Sequence, residues 1–288
     1  MKDVLEVQKG KVDILGNKLF YRYRAGSSEQ FLCFLHGYPT SSLDYEHLFE
    51  GIPDQYHVLV HDQLGFGNSD KPLDNEYLLT FQADLTCALY KHFNAQNIHL
   101  ITHDYGTSVA TEIIARDNEN KLDFNINTVT LCNGSMLIEM SQLRIIQKLL
   151  KNKLIGGFIA SLTSSSTFHR NMRNIWFDKS LYNKKEMHEH WDLLISSNGK
   201  KVLPMITRYI DQRYENYERW IGGLKKSKLP FHILWAEKDP VAIVDMAYKL
   251  DSIIEDSRLT IIHECGHYPM IEKDKEWLRL VLEYIEAS

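Results

Sequence analysis

The sequence lacks the features that mark several large classes of protein. No apolar run approaches the roughly 20 residues that cross a bilayer, and no long basic stretch of the kind that binds nucleic acid is present. The four cysteines lie far apart without Cys-x-x-Cys spacing, and no group of potential ligands has metal-site spacing. We therefore expect no membrane or nucleic acid partner, no metal and no cofactor.

The remaining composition is that of an ordinary globular protein. The 288 residues carry a formal net charge of −5, and 44% of them are hydrophobic, which is enough for one large core with an insertion. The first residues are charged where a signal peptide needs an apolar stretch, and Cys33, Cys87 and Cys132 lie in apolar surroundings. These features predict a cytoplasmic protein with reduced cysteines that acts on a small molecule; its oligomeric state stays open.

Short apolar segments alternate with longer helical patterns along most of the chain. This rhythm is typical of the α/β class, with a mostly parallel, doubly wound sheet covered on both faces. Residues 12–24 predict an antiparallel hairpin at the edge of that sheet. The other predicted strands are 31–35, 56–60, 98–103, 126–131, 231–235 and 259–262.

The strand rhythm stops between residues 135 and 228, where the pattern is helical. No long structureless linker flanks this stretch. We therefore predict two parts: an α/β core formed by residues 1–134 and 229–288, and a helical cap formed by residues 135–228.

Polar residues follow three of the predicted strands, where open α/β sheets bind their ligands. Asp104 stands at a sharp strand-to-helix turn, Asp239 follows a later strand, and His267 follows the last one. Asp104 suits a nucleophile that attacks a saturated carbon, since attack on a carbonyl would give a high-energy anhydride. His267 would activate water, and Asp239 would orient the imidazole. The backbone N–H groups of Tyr38 and Tyr105 would form the oxyanion hole.

Simpler roles compete with these assignments. Asp104 could be only a helix N-cap, and Asp239, which precedes a proline, could only initiate a turn. The rival position for the acid is Asn133, which carries no charge, and Glu139 is a more distant candidate.

Structural roles are expected for three further features beside these residues. We interpret His36 and His103 as structural hydrogen-bonding residues. The glycines of the segment 62–70 lack a following lysine in the phosphate-loop arrangement, so they predict a structural turn.

The motifs together resemble the α/β-hydrolases of the haloalkane dehalogenase and epoxide hydrolase group. The matching elements are FLHGYPTSS at 34–42, HDQLGFGNSDKP at 61–72, HDYG at 103–106, AEKDP at 236–240 and CGHYP at 265–269. The chain also shares patterns with the mesoderm-specific transcript-like proteins, including the LCNG turn at 131–134 and YIDQR at 209–213. This likeness implies an α/β-hydrolase fold with an Asp–Asp–His triad.

Departures from the group's patterns narrow the expected reaction. Haloalkane dehalogenases usually hold the departing halide with tryptophan and asparagine side chains, where this chain has Tyr105 and Tyr38. Epoxide hydrolases protonate the departing alkoxide with cap tyrosines, and the likeness at 208–220 makes Tyr209 the candidate acid. A second cap tyrosine is not placed by the pattern, and Tyr182 is the residue we would test.

These considerations favour an epoxide-hydrolase-like enzyme acting on a small apolar substrate. Haloalkane dehalogenation is the first alternative, because it uses the same triad and differs in how the leaving group is stabilised. A non-catalytic binding protein on a hydrolase scaffold is the second alternative. The substrate itself is not determined by the sequence.

Overall fold

A computed structural model describes residues 6–288 and shows one eight-stranded sheet with helices on both faces. The strands are β1 Val7–Ile14, β2 Asn17–Arg24, β3 Gln30–Leu35, β4 His57–His61, β5 Asn97–His103, β6 Asn125–Cys132, β7 Phe231–Ala236 and β8 Ser257–Ile262. Their order in the sheet is β1-β2-β4-β3-β5-β6-β7-β8; β2 is antiparallel to its neighbours β1 and β4, and the strands β3 to β8 are mutually parallel.

The predicted α/β class and the mostly parallel sheet are confirmed. The core strands β3 to β7 are almost fully buried, as expected for strands covered by helices on both faces. The edge hairpin begins at Val7, earlier than predicted. The sequence did not reveal this start because the first residues of β1 are mostly polar and partly exposed, so they give no apolar pattern. Leu15 and Gly16 form its turn, both with positive φ, as tight two-residue hairpins require.

Twelve α-helices connect and cover the strands in the part of the chain that the structure describes. They are α1 Leu79–His92, α2 Tyr105–Asn118, α3 Ile145–Leu150, α4 Gly156–Leu162, α5 Ser165–Arg173, α6 Lys184–Ile195, α7 Gly199–Thr207, α8 Tyr209–Glu215, α9 Tyr217–Lys226, α10 Val244–Ile253, α11 Pro269–Glu272 and α12 Asp274–Ala287. Two short 3-10 helices lie at Ser42–Gly51 and Ile138–Met140.

Seven of these helices, α3 to α9, follow one another between β6 and β7 without an intervening strand. The helical pattern of 135–228 is thus present in the structure, while its treatment as a separate cap stays a prediction. We call residues 138–226 the helical segment. It packs back on the core, for example where α9 contacts α2.

Other sequence features have plain structural roles. All four cysteines are free thiols; Cys33, Cys132 and Cys265 are buried, and Cys87 is partly buried. The glycine-containing segment 62–70 forms turns whose anchor is Asp62, which accepts hydrogen bonds from the backbone N–H groups of neighbouring residues.

Among residues 6–288, no helix is long and apolar enough to cross a bilayer.

Candidate active site

Asp104 lies at the turn where strand β5 ends and helix α2 begins. Its backbone has φ 42°, a left-handed conformation that a non-glycine residue rarely adopts, and its side chain is buried. Strained conformations of this kind are found where a side chain must be presented at the end of a strand. The turn therefore presents the carboxylate at the carboxyl edge of the sheet.

Two glycines allow the backbone to close tightly around this carboxylate. A Cβ atom on Gly106 would lie 2.4 Å from the carbonyl oxygen of Leu35, so only glycine lets α2 pack against β3 here. A Cβ atom on Gly37 would lie 2.6 Å from Nδ1 of His103. The loop after β3 can therefore approach the turn that carries Asp104.

The backbone N–H of Tyr38 points at the carboxylate, as the sequence led us to expect. It donates to Oδ2 of Asp104 at 3.0 Å. Tyr105 is the first residue of α2, and the N–H groups of a first helical turn have no partner within their own helix. Both candidate oxyanion donors therefore lie beside Asp104, with contact to the carboxylate seen for Tyr38.

The structure brings Asp104, Asp239 and His267 together. Nδ1 of His267 lies 2.7 Å from Oδ2 of Asp239, and Nε2 lies 4.0 Å from Oδ2 of Asp104. The imidazole thus stands between two carboxylates, and all three side chains are buried. The arrangement leaves Nε2 facing the carboxylate at the turn.

Asp239 is held by several hydrogen bonds, one of which comes from the rival acid position. Its Oδ1 accepts from the backbone N–H groups of Val241 and Ala242, at 2.7 and 3.1 Å. Nδ2 of Asn133 donates to Oδ2 at 2.7 Å, while Oδ1 of Asn133 accepts from the backbone N–H of Ala236 at 3.0 Å. Asn133 therefore anchors Asp239 to β7, a role that the sequence did not suggest.

Glu139, the distant alternative to Asp239, has another partner. Its Oε1 accepts a hydrogen bond from the hydroxyl of Tyr217 at 2.8 Å, at an exposed position. It makes no contact with His267 in the structure of residues 6–288. The geometry thus favours Asp239 over Glu139 as the partner of His267.

The charges of the two carboxylates act on His267. Burial alone would lower its pKa, but the neighbouring carboxylates of Asp239 and Asp104 raise the pKa above its ordinary value of 6.5. The imidazole therefore becomes protonated at a higher pH than an isolated histidine would. It is neutral, and able to accept a proton, only above that raised pKa.

His36 and His103 make the contacts expected of structural residues. His103 Nε2 donates to the backbone carbonyl of His267 at 2.8 Å, and His36 Nδ1 donates to the carbonyl of Gly37 at 2.8 Å. His36 Nε2 accepts from the backbone N–H of Gln63. Burial lowers the pKa of both histidines, so both remain neutral and hold the loops that carry Tyr38 and His267.

A cavity opens from Asp104 and His267 towards the helical segment. Its empty volume is about 750 Å³, including the space at its open mouth. Most of the walls are apolar, and four polar side chains from the helical segment interrupt them. The apolar lining residues are Ile146, Leu150, Phe168, Met172, Ile175, Leu194, Leu203 and Val241, and the four polar ones are Arg144, Gln147, Thr163 and Asn171.

The two cap tyrosines considered from sequence lie in different places. Tyr209 is buried, with its ring packed against the rings of Tyr38 and Tyr105, and its hydroxyl accepts a hydrogen bond from Gln147 Nε2 at 3.2 Å. Gln147 lines the cavity, whereas Tyr209 lies one layer behind it. The hydroxyl of Tyr182 lies 2.7 Å from Nδ1 of His169, and Tyr182 is not among the residues that line the cavity.

A buried arginine next to Asp104 is the residue that sequence reasoning missed. Arg213 Nη2 lies 3.9 Å from Oδ1 of Asp104 and has no hydrogen-bond partner in the described structure. Nε donates to Oγ of Ser108 at 2.7 Å, and the guanidinium lies 4.5 Å above the ring of Tyr209. Arg213 is the last residue of the YIDQR pattern at 209–213, but nothing in that pattern indicates that it reaches Asp104. Its positive charge offsets part of the cost of burying the carboxylate.

No group of three or more His, Cys, Asp and Glu side chains within residues 6–288 is arranged to hold a metal ion. The groups that approach the carboxylate of Asp104 are instead the imidazole of His267, the guanidinium of Arg213 and the backbone N–H of Tyr38. This arrangement provides a carboxylate, a base beside it and donors for a developing negative charge.

Comparisons with known proteins agree with the fold and the motifs. Residues 30–274 match the family model described as alpha/beta hydrolase fold. The putative hydrolase LipZ of Mycobacterium tuberculosis is 32% identical over 268 residues, covering 93% of this chain and 92% of that protein. The human mesoderm-specific transcript homolog protein is 30% identical over 281 residues, covering 94% and 84%.

Among solved structures, the epoxide hydrolase CorEH is similar with a TM-score of 0.81, covering 98% of this chain and 99% of that one. Its sequence is 18% identical, so this likeness supports the fold and not the substrate. The resemblance read from the motifs is thereby confirmed at the level of the family.

Proposed function

Because this chain belongs to the α/β-hydrolase family, we propose that it is a hydrolase in which Asp104 forms a covalent alkyl ester that a water activated by His267 then hydrolyses. One observation carries this proposal. Oδ2 of Asp104 accepts the N–H of Tyr38 at 3.0 Å and lies 4.0 Å from Nε2 of His267, whose other nitrogen contacts Asp239. A carboxylate, a base and an oxyanion donor thus converge at the floor of one cavity.

In the first step, a carboxylate oxygen of Asp104 attacks an sp³ carbon of the substrate. Oδ2 is held by the N–H of Tyr38, so Oδ1 is the oxygen free to form the new C–O bond. The bond from that carbon to the leaving group breaks, and its electron pair goes with the leaving group. Arg213, near Oδ1, contributes a positive charge that offsets part of the cost of burying this carboxylate.

In the second step, His267 takes a proton from water through Nε2, and the resulting hydroxide attacks the carbonyl carbon of the ester. The negative charge that develops on the Asp104 oxygen is stabilised by the N–H groups of Tyr38 and Tyr105. Loss of one such donor typically raises a barrier by about 3–4 kcal/mol. Collapse of the intermediate releases the alcohol, to which His267 returns its proton, and leaves the Asp104 carboxyl, which loses its proton to become the carboxylate again. Until it gives up the proton, the imidazolium is stabilised by Asp239.

An epoxide is the substrate class that the available donors suit best. Opening of the ring leaves an alkoxide, which needs a proton and not a halide cradle. Burial raises the pKa of Tyr209, so its hydroxyl is protonated at neutral pH. Because Gln147 donates to the hydroxyl oxygen, the hydroxyl proton of Tyr209 remains free to be given away. Tyr209 is accordingly the proposed acid, reaching the cavity through a small rearrangement of Gln147.

Residues 135–228 act as a cap in this proposal. They supply most of the apolar walls above Asp104, and an apolar enclosure excludes bulk water from the ester and favours small apolar substrates. Haloalkane dehalogenation would share both chemical steps. This chain, however, has tyrosines at positions 38 and 105 and lacks the tryptophan or asparagine donors that would hold a departing halide. A silent binding protein would have no need for three converging catalytic groups.

The decisive experiment uses the variant His267→Gln, in which the ester should form but should hydrolyse slowly. The protein is incubated with a panel of epoxides and with bromoalkanes of the same carbon skeletons, digested, and analysed by mass spectrometry. We expect an epoxide-derived adduct on the peptide that contains Asp104. The double variant Asp104→Asn/His267→Gln is the matched control and should carry no adduct.

Each outcome of that experiment bears on one part of the proposal. An adduct on another peptide, with Asp104 unmodified, refutes the nucleophile assignment. Adducts from bromoalkanes alone, with halide release, replace the epoxide by the haloalkane class. A separate experiment tests the ester intermediate: the wild-type protein turns over its substrate in ¹⁸O water, and the Asp104 carboxylate is then analysed for label. Turnover without any label in that carboxylate refutes the ester intermediate.

A further inference from the structure

Several large apolar side chains are exposed in helices α3 and α4 and in the turn between them. Ile145 is 77% exposed, Leu154 92%, Phe158 65% and Leu162 63%, and the neighbouring Ile155 is also exposed. We call these five residues the α3–α4 patch. A concentration of exposed apolar residues in one short stretch marks a surface that binds something, whereas single exposed residues need no explanation.

The patch lies in the most one-sided charge region of the chain. No Asp or Glu occurs between Glu139 and Asp178, although the whole protein has a net charge of −5. Six basic residues fall in the same interval: Arg144, Lys148, Lys151, Lys153, Arg170 and Arg173. Lys151 pairs with Asp211 from α8, while Lys148 and Lys153 are exposed beside the patch.

We propose that the α3–α4 patch docks onto the surface of an anionic lipid bilayer. Exposed apolar side chains flanked by lysines and arginines are the composition with which peripheral elements enter the interface of a membrane. The apolar groups bury among the lipid chains, and the basic groups contact the negative headgroups. The absence of a spanning helix, on which the expectation of no membrane partner was based, says nothing about such surface contact.

A second copy of this chain fits the patch less well. A symmetric dimer through this surface would bring the same basic residues of both copies face to face, without a carboxylate from residues 140–177 to compensate them. The occupant must therefore be negatively charged as well as apolar. A bilayer containing acidic lipid provides both properties at once.

Sequence neighbours of the patch also line the cavity. Arg144 and Ile146, on either side of Ile145, line the cavity, and so does Thr163, which follows Leu162. Docking would consequently bring the wall of this apolar cavity close to the lipid interface. A substrate dissolved in the bilayer could then enter without crossing water; the docking itself does not depend on the proposed reaction.

Vesicle co-sedimentation of the full chain tests the proposal. One set of vesicles is phosphatidylcholine alone, and in the other a third of the lipid is phosphatidylglycerol. We expect binding to the anionic vesicles that weakens as salt is added, because salt screens the contacts between lysines and headgroups. The variant Lys148→Gln/Lys153→Gln should bind about fivefold more weakly for each lysine removed.

A second variant, Leu154→Ser/Phe158→Ser, should lose binding even at low salt, because it removes the apolar anchor. The matched controls Lys225→Gln/Lys226→Gln and Leu15→Ser change exposed residues outside the patch and should bind like the wild type. Thermal unfolding of each variant checks that it is folded.

Three results would overturn the proposal. One is equal binding of the wild-type protein to both kinds of vesicle. Another is a loss of binding in the control variants that is as large as the loss in the patch variants. The third is a dimer in analytical ultracentrifugation that the patch variants dissociate, since this would assign the surface to a second copy.

Discussion

Removal of the Asn133 side chain should weaken both the fold and the ester-hydrolysis step. Asn133 donates to Oδ2 of Asp239 at 2.7 Å and accepts from the N–H of Ala236 at 3.0 Å, and its backbone has φ 46°. Asn133→Gly removes both hydrogen bonds and keeps the left-handed backbone accessible. Asn133→Ala removes the same hydrogen bonds and adds backbone strain.

The magnitude follows from these contacts. A hydrogen bond to a charged group contributes about 1.5–3 kcal/mol, and leaving the buried N–H of Ala236 unpaired costs about 1–3 kcal/mol. Asn133→Gly should therefore lower the free energy of unfolding by about 2.5–6 kcal/mol. Asn133→Ala should lower it by roughly 1 kcal/mol more, because alanine is strained at positive φ.

Urea unfolding followed by circular dichroism measures these changes. Asn120 is the matched control: its φ is 53° and it is exposed, so Asn120→Gly should have little effect and Asn120→Ala should show the backbone strain alone. On a substrate identified as above, Asn133→Gly should slow ester hydrolysis about 10- to 100-fold, because Asp239 loses a fixed partner. Unfolding of Asn133→Gly within 1 kcal/mol of the wild type, together with unchanged hydrolysis, would refute the anchoring role.

Three further predictions concern the groups around the carboxylate. Tyr209→Phe should slow alkylation by epoxides about 10²- to 10⁴-fold and leave alkylation by bromoalkanes unchanged, as measured by single-turnover kinetics; equal effects on both would remove Tyr209 as the acid. Acid pH should make the ester accumulate in the wild-type protein, because a protonated His267 cannot take a proton from water. Rapid-quench mass spectrometry should show more adduct on Asp104 about one unit below pH 6.5 than at neutral pH, and a pH-independent adduct level would count against the base. Arg213→Met should destabilise the wild type more than an Asp104→Asn background, with a coupling of about 0.5–3 kcal/mol in urea unfolding; additive effects would show that the two charges do not interact.

The pH behaviour of His267 should differ between the two steps of the reaction. In the free protein the carboxylate of Asp104 is one of the charges that raise the pKa of His267, together with Asp239 and Asp44. Formation of the ester neutralises Asp104 and removes that contribution, so the pKa of His267 in the ester is lower than in the free protein. Ester formation thus moves the imidazole towards the neutral form that the second step requires.

Patterns within short stretches of sequence were sufficient to predict the sheet and the position of the three converging side chains. Buried parallel strands give apolar runs that can be read locally, and the carboxyl ends of parallel strands meet at one edge. This is why residues as distant in sequence as Asp104, Asp239 and His267 could be predicted to meet before their distances were known. The first residues of β1 have no such apolar pattern, so the sequence did not predict that this strand begins at Val7.

What only the tertiary structure decided depends on how side chains from distant segments pack. The contact of Asn133 with Asp239 and that of Arg213 with Ser108 each join residues more than a hundred positions apart. The placement of Tyr209 behind Gln147 and the exposure of the α3–α4 patch likewise follow from the packing of the helical segment on the core. A strand's periodicity is a property of consecutive residues, whereas the surroundings of a buried charge are determined by whichever segments fold against it.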